Sequence, residues 1–213
     1  MTLSSLSTSS MNARASQGLW AVAALLSAGI AIYAYRYFLA IGPHAQLLGN
    51  AYGWPFLYVH IIGAATALLI GPLNFIGAVR RRQPQVHRWI GRTYIVGCLV
   101  GAAGGLVVAF GSTAGPVATA GFGLLAVCWI AANVQGWRMA RARRFGEHRA
   151  WMIRSFAMTF AAVTLRLYMP LLAPLHIPIL NGYRAISFLC WVPNLAVAEV
   201  YIRCSLPGVL VLR

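Results

Sequence analysis

The chain has no aspartate, no lysine and only two acids, Glu147 and Glu199. Paired-carboxylate hydrolysis needs two carboxyl groups in one cleft, and a proton relay across a bilayer usually needs acids within it. Both chemistries therefore lack their parts here. No HExxH, GxSxG or GxxxxGK[ST] occurs, which removes the zinc protease, serine hydrolase and P-loop readings. There is no CxxC or CxxCH among the four cysteines, so zinc ribbons, thioredoxin-like chemistry and covalent c-type haem have no support. Cys98, Cys128 and Cys190 fall inside apolar runs and Cys204 follows the last one, so all four read as reduced apolar fillers.

What is present is mostly apolar. Hydrophobic residues make up 60% of the chain and charged residues 9%, with a mean hydropathy of +0.73. A soluble domain must keep more of its surface polar, so the composition places the chain in lipid. The formal charge of +15 comes from 17 arginines. They cluster in short connectors between apolar runs and not along a hydrophilic face, so they read as orientation signals and not as a nucleic-acid footprint.

The expected architecture is all-α: a polytopic membrane protein with six transmembrane helices in one bundle. The spans are expected at residues 18–41, 54–77, 89–110, 117–137, 150–172 and 182–202, each long enough for a hydrocarbon core that needs about 20 helical residues. Residues 1–17 are Ser/Thr-rich and expected to form a disordered tail, 18–203 the six-helix domain, and 204–213 a short tail. A signal peptide competes for the first run, but that run is long for one and lacks a clear small-residue cleavage site. Connectors alternate in charge. Arg80, Arg81, Arg82 and Arg88 lie between spans two and three, and Arg138, Arg141, Arg143, Arg144 and Arg149 between spans four and five, while the other three connectors carry none. The positive-inside rule then puts the Arg-rich connectors and both termini in the cytoplasm. Pro72 is expected to kink span two, and Gly97, Gly101 and Gly105 to admit a close helix neighbour on span three.

The two Arg-rich connectors resemble each other. RRRQPQVHRWIGR supplies His87, Arg88, Trp89 and Arg92, and RARRFGEHRAWMIR supplies His148, Arg149, Trp151 and Arg154. Basic loops and interfacial tryptophan explain much of this echo, but not the histidine. The helix dipole and like charge disfavour a protonated imidazole at such an arginine-crowded helix start. Neutral imidazole is what a haem iron requires, and arginine beside it suits propionates, quinone oxygens or phosphate head groups. His87 and His148 start helices on the same side, which makes them the best ligand pair in the chain.

Nearer the opposite face, His60 lies roughly 9 Å into span two, on a small face with Gly63, Ala64, Ala67 and Gly71 that packs against a helix or a flat ligand. Arg166 in span five lies at a similar depth and continues a stripe from His148 through Ser155, Thr159 and Ala162. An unpaired guanidinium there costs at least ~2.5 kcal/mol on insertion scales. Backbone carbonyls, neutral His60, snorkelling or an anionic ligand would each satisfy it, and Arg184 is a candidate to join the site. His44 and His176 fall in outer loops.

Several of these segments carry a family resemblance: VHIIGAATALLIGPLNF, VHRWIGRTY, EHRAWMIRSFAMTFAAVTLRLYMP and WVPNLAVAE. They resemble the bacterial predicted membrane proteins grouped as domain of unknown function 2306. The resemblance implies a multi-pass protein of the bacterial cytoplasmic membrane and lends no ligand set. A second likeness, to cytochrome b561-like bundles, implies haem held between histidines on central helices. Span four has no histidine, only Asn133 and Gln135, so that likeness extends to one haem and not two.

Three functions follow as expectations. The first is membrane electron transfer, with haem b between His87 and His148, propionates on Arg88 and Arg149, and a quinone-like group near His60 and Arg166. The second is a lipid- or small-molecule-binding module or accessory subunit whose arginines meet anionic head groups. A transporter is the third, weakened by the shortage of intramembrane acids.

Overall fold

The computed structural model describes residues 3–39, 50, 52–53 and 55–206, and every element among them is helical. Helix α1 (Leu3–Tyr35) ends in a 3₁₀ turn, Arg36–Leu39. Helix α2 (Phe56–Ile70) runs into a second 3₁₀ turn, Gly71–Phe75, followed by the short α3 (Gly77–Arg82). Then come α4 (Pro84–Phe110), α5 (Pro116–Arg141), α6 (Phe145–Thr159), α7 (Ala161–Tyr168), α8 (Ile179–Leu189) and α9 (Val192–Ser205).

Proline sets several boundaries. Pro84, Pro116 and Pro193 each sit in the first turn of a helix, where a missing N–H costs nothing. Pro72 has the opposite effect: it follows the last α-helical turn of α2 and lies in the 3₁₀ segment, at the place where a kink was expected from sequence. The helix starting at Leu3 takes in most of residues 1–17, where a disordered tail was expected. Serine and threonine cost only about half a kcal/mol each in a helix, so extending one already nucleated by the apolar run is cheap. Trp54, His44 and residues 207–213 lie outside the described residues.

Among the described residues, five helical segments are long and apolar enough to cross a membrane: Gly18–Tyr35, Phe56–Phe75, Pro84–Phe110, Pro116–Arg141 and Ile179–Ser205. The expected span at residues 150–172 is not among them. That stretch is broken at Phe160 between α6 and α7 and carries Arg154, Ser155, Thr159, Thr164 and Arg166. Its polarity has a place to go, because Met152, Ser155, Phe156, Met158, Thr159, Ala161 and Val163 are all buried in the protein. A segment enclosed by other helices needs less apolar surface than one bathed in lipid.

The helices neighbour one another as α1 on α2, α2 on α4, α4 on α5, and α5 on both α6 and α8, with α6 against α9 and α7 returning to α1. The closest pair is α2 with α4. A Cβ built on Gly101 would lie 2.7 Å from the Ala64 nitrogen, and one on Gly97 3.0 Å from the Gly63 oxygen, so the expected glycine stripe admits α2 backbone to backbone. The small face of α2 is thus taken by a helix. Between α4, α5 and α6 the core is built from Tyr94, Cys98, Ala102, Trp129, Ala132, Met152 and Phe156, with Trp20 and Phe75 stacked at its edge.

Candidate ligand sites at the two ends of the bundle

Both Arg-rich hairpins place histidine fourth in its helix, His87 in α4 and His148 in α6. The second hairpin is tight: Arg143 takes a left-handed conformation (φ 58°), and the Arg144 amide donates to the Met139 carbonyl at 2.9 Å. That turn folds the start of α6 onto the last turns of α5. His148 Nδ1 then lies 2.8 Å from the Gly136 carbonyl oxygen. A carbonyl can only accept, so Nδ1 carries a proton, and in the neutral ring the lone pair belongs to Nε2. His87 Nδ1 is buried and has no hydrogen-bond partner. The two imidazoles lie close enough to act on one another electrostatically, and Arg80 acts on His87 as well.

The rest of the echo is also built alike. Arg92 lies over the Trp89 ring at 5.2 Å, and Arg154 over Trp151 at 4.6 Å. Arg154 also makes a two-point ion pair with Glu199, Nε to Oε1 at 2.5 Å and Nη2 to Oε2 at 3.0 Å, which ties α6 to α9. Arg88 and Arg149 follow their histidines in the chain. Both are exposed, and Arg88 bonds its own helix through Nε to the Pro84 carbonyl at 3.3 Å. At His87 the neighbouring cation is Arg80, whose place on α3 no spacing rule reveals.

At the other end, His60 Nδ1 lies 2.7 Å from the Gly101 carbonyl oxygen, which fixes the same tautomer as in His148. Its ring rests on α4 where Gly105 leaves room: a Cβ there would lie 2.7 Å from Nδ1 and 3.1 Å from Cε1. Arg166 is within electrostatic reach of His60 and donates from Nη1 to the Ala162 carbonyl at 2.9 Å. Arg184 is committed elsewhere, its Nε donating to the Ala114 carbonyl at 2.7 Å. His176 is exposed in the connector before α8, in a left-handed conformation (φ 53°).

Between the two ends lies a buried polar network. The Tyr94 hydroxyl meets Ser155 Oγ and Thr159 Oγ1, both at 2.9 Å. Trp129 Nε1 donates to Thr159 Oγ1 at 3.0 Å, and Ser155 Oγ donates to Asn133 Oδ1 at 3.1 Å. Ser155, Thr159 and Asn133 were visible in sequence as polar residues in apolar runs. Tyr94 and Trp129 were not, because either aromatic ring is unremarkable in a bundle core. Asn133 Nδ2 donates to the Trp129 carbonyl at 2.8 Å, so every member has a partner. The network clamps α4, α5 and α6 together.

Among the described residues no three His, Cys, Asp or Glu side chains converge as a metal site, and no disulfide forms. The fold and its apolar helices define a helical integral membrane protein. The family model described as "Predicted membrane protein (DUF2306)" matches residues 57–202, more than half of the chain, and the protein belongs to that family. No curated protein and no solved structure matches the chain.

Proposed function

We propose that the protein is a haem b-binding electron-transfer module of the bacterial cytoplasmic membrane, with α6 and α7 together making a sixth crossing and the Arg-rich end and both termini in the cytoplasm. The observation that carries the reading is the placing of His87 and His148, from different helices, at one end of the bundle within electrostatic reach of each other, one with its Nδ1–H held by the Gly136 carbonyl and the other with a buried, partnerless ring nitrogen. A donated Nδ1–H is the usual orienting bond behind a histidine ligand, and it raises the basicity of Nε2.

The surroundings are compatible with a flat group. Gly91 follows His87 by one turn, and a Cβ there would meet only Asn74 Oδ1, at 3.4 Å. Arg80 supplies positive charge for carboxylate substituents. A bound haem would supply a reversible one-electron couple. The chain's own residues would supply two imidazoles, one of them oriented by its Nδ1–H bond to the Gly136 carbonyl. Arg88 and Arg149, exposed at the same end, favour a second role in meeting anionic lipid head groups.

The test is an absorption spectrum of the purified protein from haem-replete cells, with acid extraction of the pigment. A Soret band that shifts on reduction is expected, lost in both His87→Phe and His148→Phe and kept in His60→Gln. A folded, colourless wild-type protein would end the reading.

A further inference from the structure

The His60 corner differs from the His87–His148 pair in having one imidazole and one guanidinium. Its imidazole tautomer is settled by geometry: Nδ1 must donate to the Gly101 carbonyl, so Nε2 can only accept. Among the described residues Nε2 has no hydrogen-bond partner. Whatever binds there must bring a donor. Arg166 places positive charge beside it, which favours a donor whose oxygen carries or develops negative charge. The corner also lies within about 10 Å of the end of α2, in a segment apolar enough to cross a membrane. A ligand entering from the bilayer therefore has an apolar body.

We propose that the corner formed by His60, Gly101, Gly105 and Arg166 binds the acidic hydroxyl of a membrane-soluble hydroquinone or phenol, which donates its O–H to His60 Nε2. This deepens the electron-transfer reading by naming the class of molecule met at the end opposite His87 and His148. The glycines are part of the site. Gly105 is the space in which the ring lies, and a methyl there would meet only His60 side-chain atoms, so the ring would move and the helices would not.

The experiment is nitrogen NMR of ¹⁵N-histidine-labelled protein in lipid nanodiscs, titrated with a short-chain benzohydroquinone, with the resonances assigned by substitution. The His60 Nε2 resonance is expected to move saturably toward the hydrogen-bonded range while Nδ1 stays protonated. Gly105→Ala should abolish the shift with the fold intact by tryptophan fluorescence, and Arg166→Gln should weaken binding on the order of tenfold. His87→Phe and His148→Phe should leave it unchanged. The dimethyl ether of the same ring, having no O–H, should produce no shift. An equal shift with the ether, a shift with oleic acid alone, or none with any probe would each overturn the proposal. The readout uses no haem signal, so a colourless protein would still be tested by it.

Discussion

Gly63→Ala is expected to lower the thermal midpoint of the detergent-solubilised protein sharply, by the equivalent of about 3 kcal/mol or more, the upper end for overpacking. The reason is what the added methyl would meet. It would press on the Gly101 nitrogen, lie 2.6 Å from the Gly97 oxygen and 2.7 Å from the Gly101 Cα, all of them backbone atoms of α4. No rotamer change relieves such a contact, so α2 and α4 must separate along their closest seam. Gly29→Ala is the control. Nothing lies within 4 Å of a Cβ there, and alanine favours a helix over glycine by about 1 kcal/mol, so stability should hold or rise slightly. Equal midpoints for Gly63→Ala and wild type would mean that α2 and α4 do not meet as described.

Thr159→Val is the second large effect. Valine keeps the shape and removes the oxygen on which Trp129 Nε1 and the Tyr94 hydroxyl converge, as well as the bond to the Ser155 carbonyl at 2.9 Å. Each buried donor left alone costs about 1–3 kcal/mol in soluble cores, whereas hydrogen bonds between membrane helices average about 0.6 kcal/mol when measured by cycles. Tyr94 keeps Ser155 as a partner and Trp129 has no alternative, so one orphan results and the loss should be about 1–3 kcal/mol. Thermal unfolding monitored by tryptophan fluorescence reads both the stability and the environment of Trp129. A loss below about 0.5 kcal/mol, well under one orphaned donor, would remove the network from the fold's supports.

Much of the bundle was legible because bilayer thickness imposes a length and charge imposes an alternation. The apolar runs, the kink at Pro72 and the glycine stripe on α4 follow from rules that act within a few residues. The segment at 150–172 was legible as a span by length alone and falls short on composition, since enclosure by α5 and α9, a tertiary fact, offsets its arginines and hydroxyls. The break between α8 and α9 at Cys190–Trp191 was missed, although Pro193 marked it.

At the candidate sites, the histidine pairing followed from shared depth. What set each tautomer did not, because a glycine carbonyl on a neighbouring helix leaves no trace in side-chain pattern. Sequence adjacency did not reveal every cation near the histidines. Arg88 and Arg149 follow their histidines in the chain, but in a helix consecutive residues point about 100° apart. Arg80, on another helix, is the neighbour that acts on His87.

The central claim is that the two His-Arg helix starts form one site on one side of the membrane. Its most direct test is cross-linking of a His87→Cys, His148→Cys pair in a background lacking Cys98, Cys128, Cys190 and Cys204, carried out in membranes with a short bis-maleimide. Efficient intramolecular bridging is predicted for that pair, and none for His60→Cys with His148→Cys. Absent bridging at 87 and 148, with both cysteines labelled from opposite faces, would contradict it.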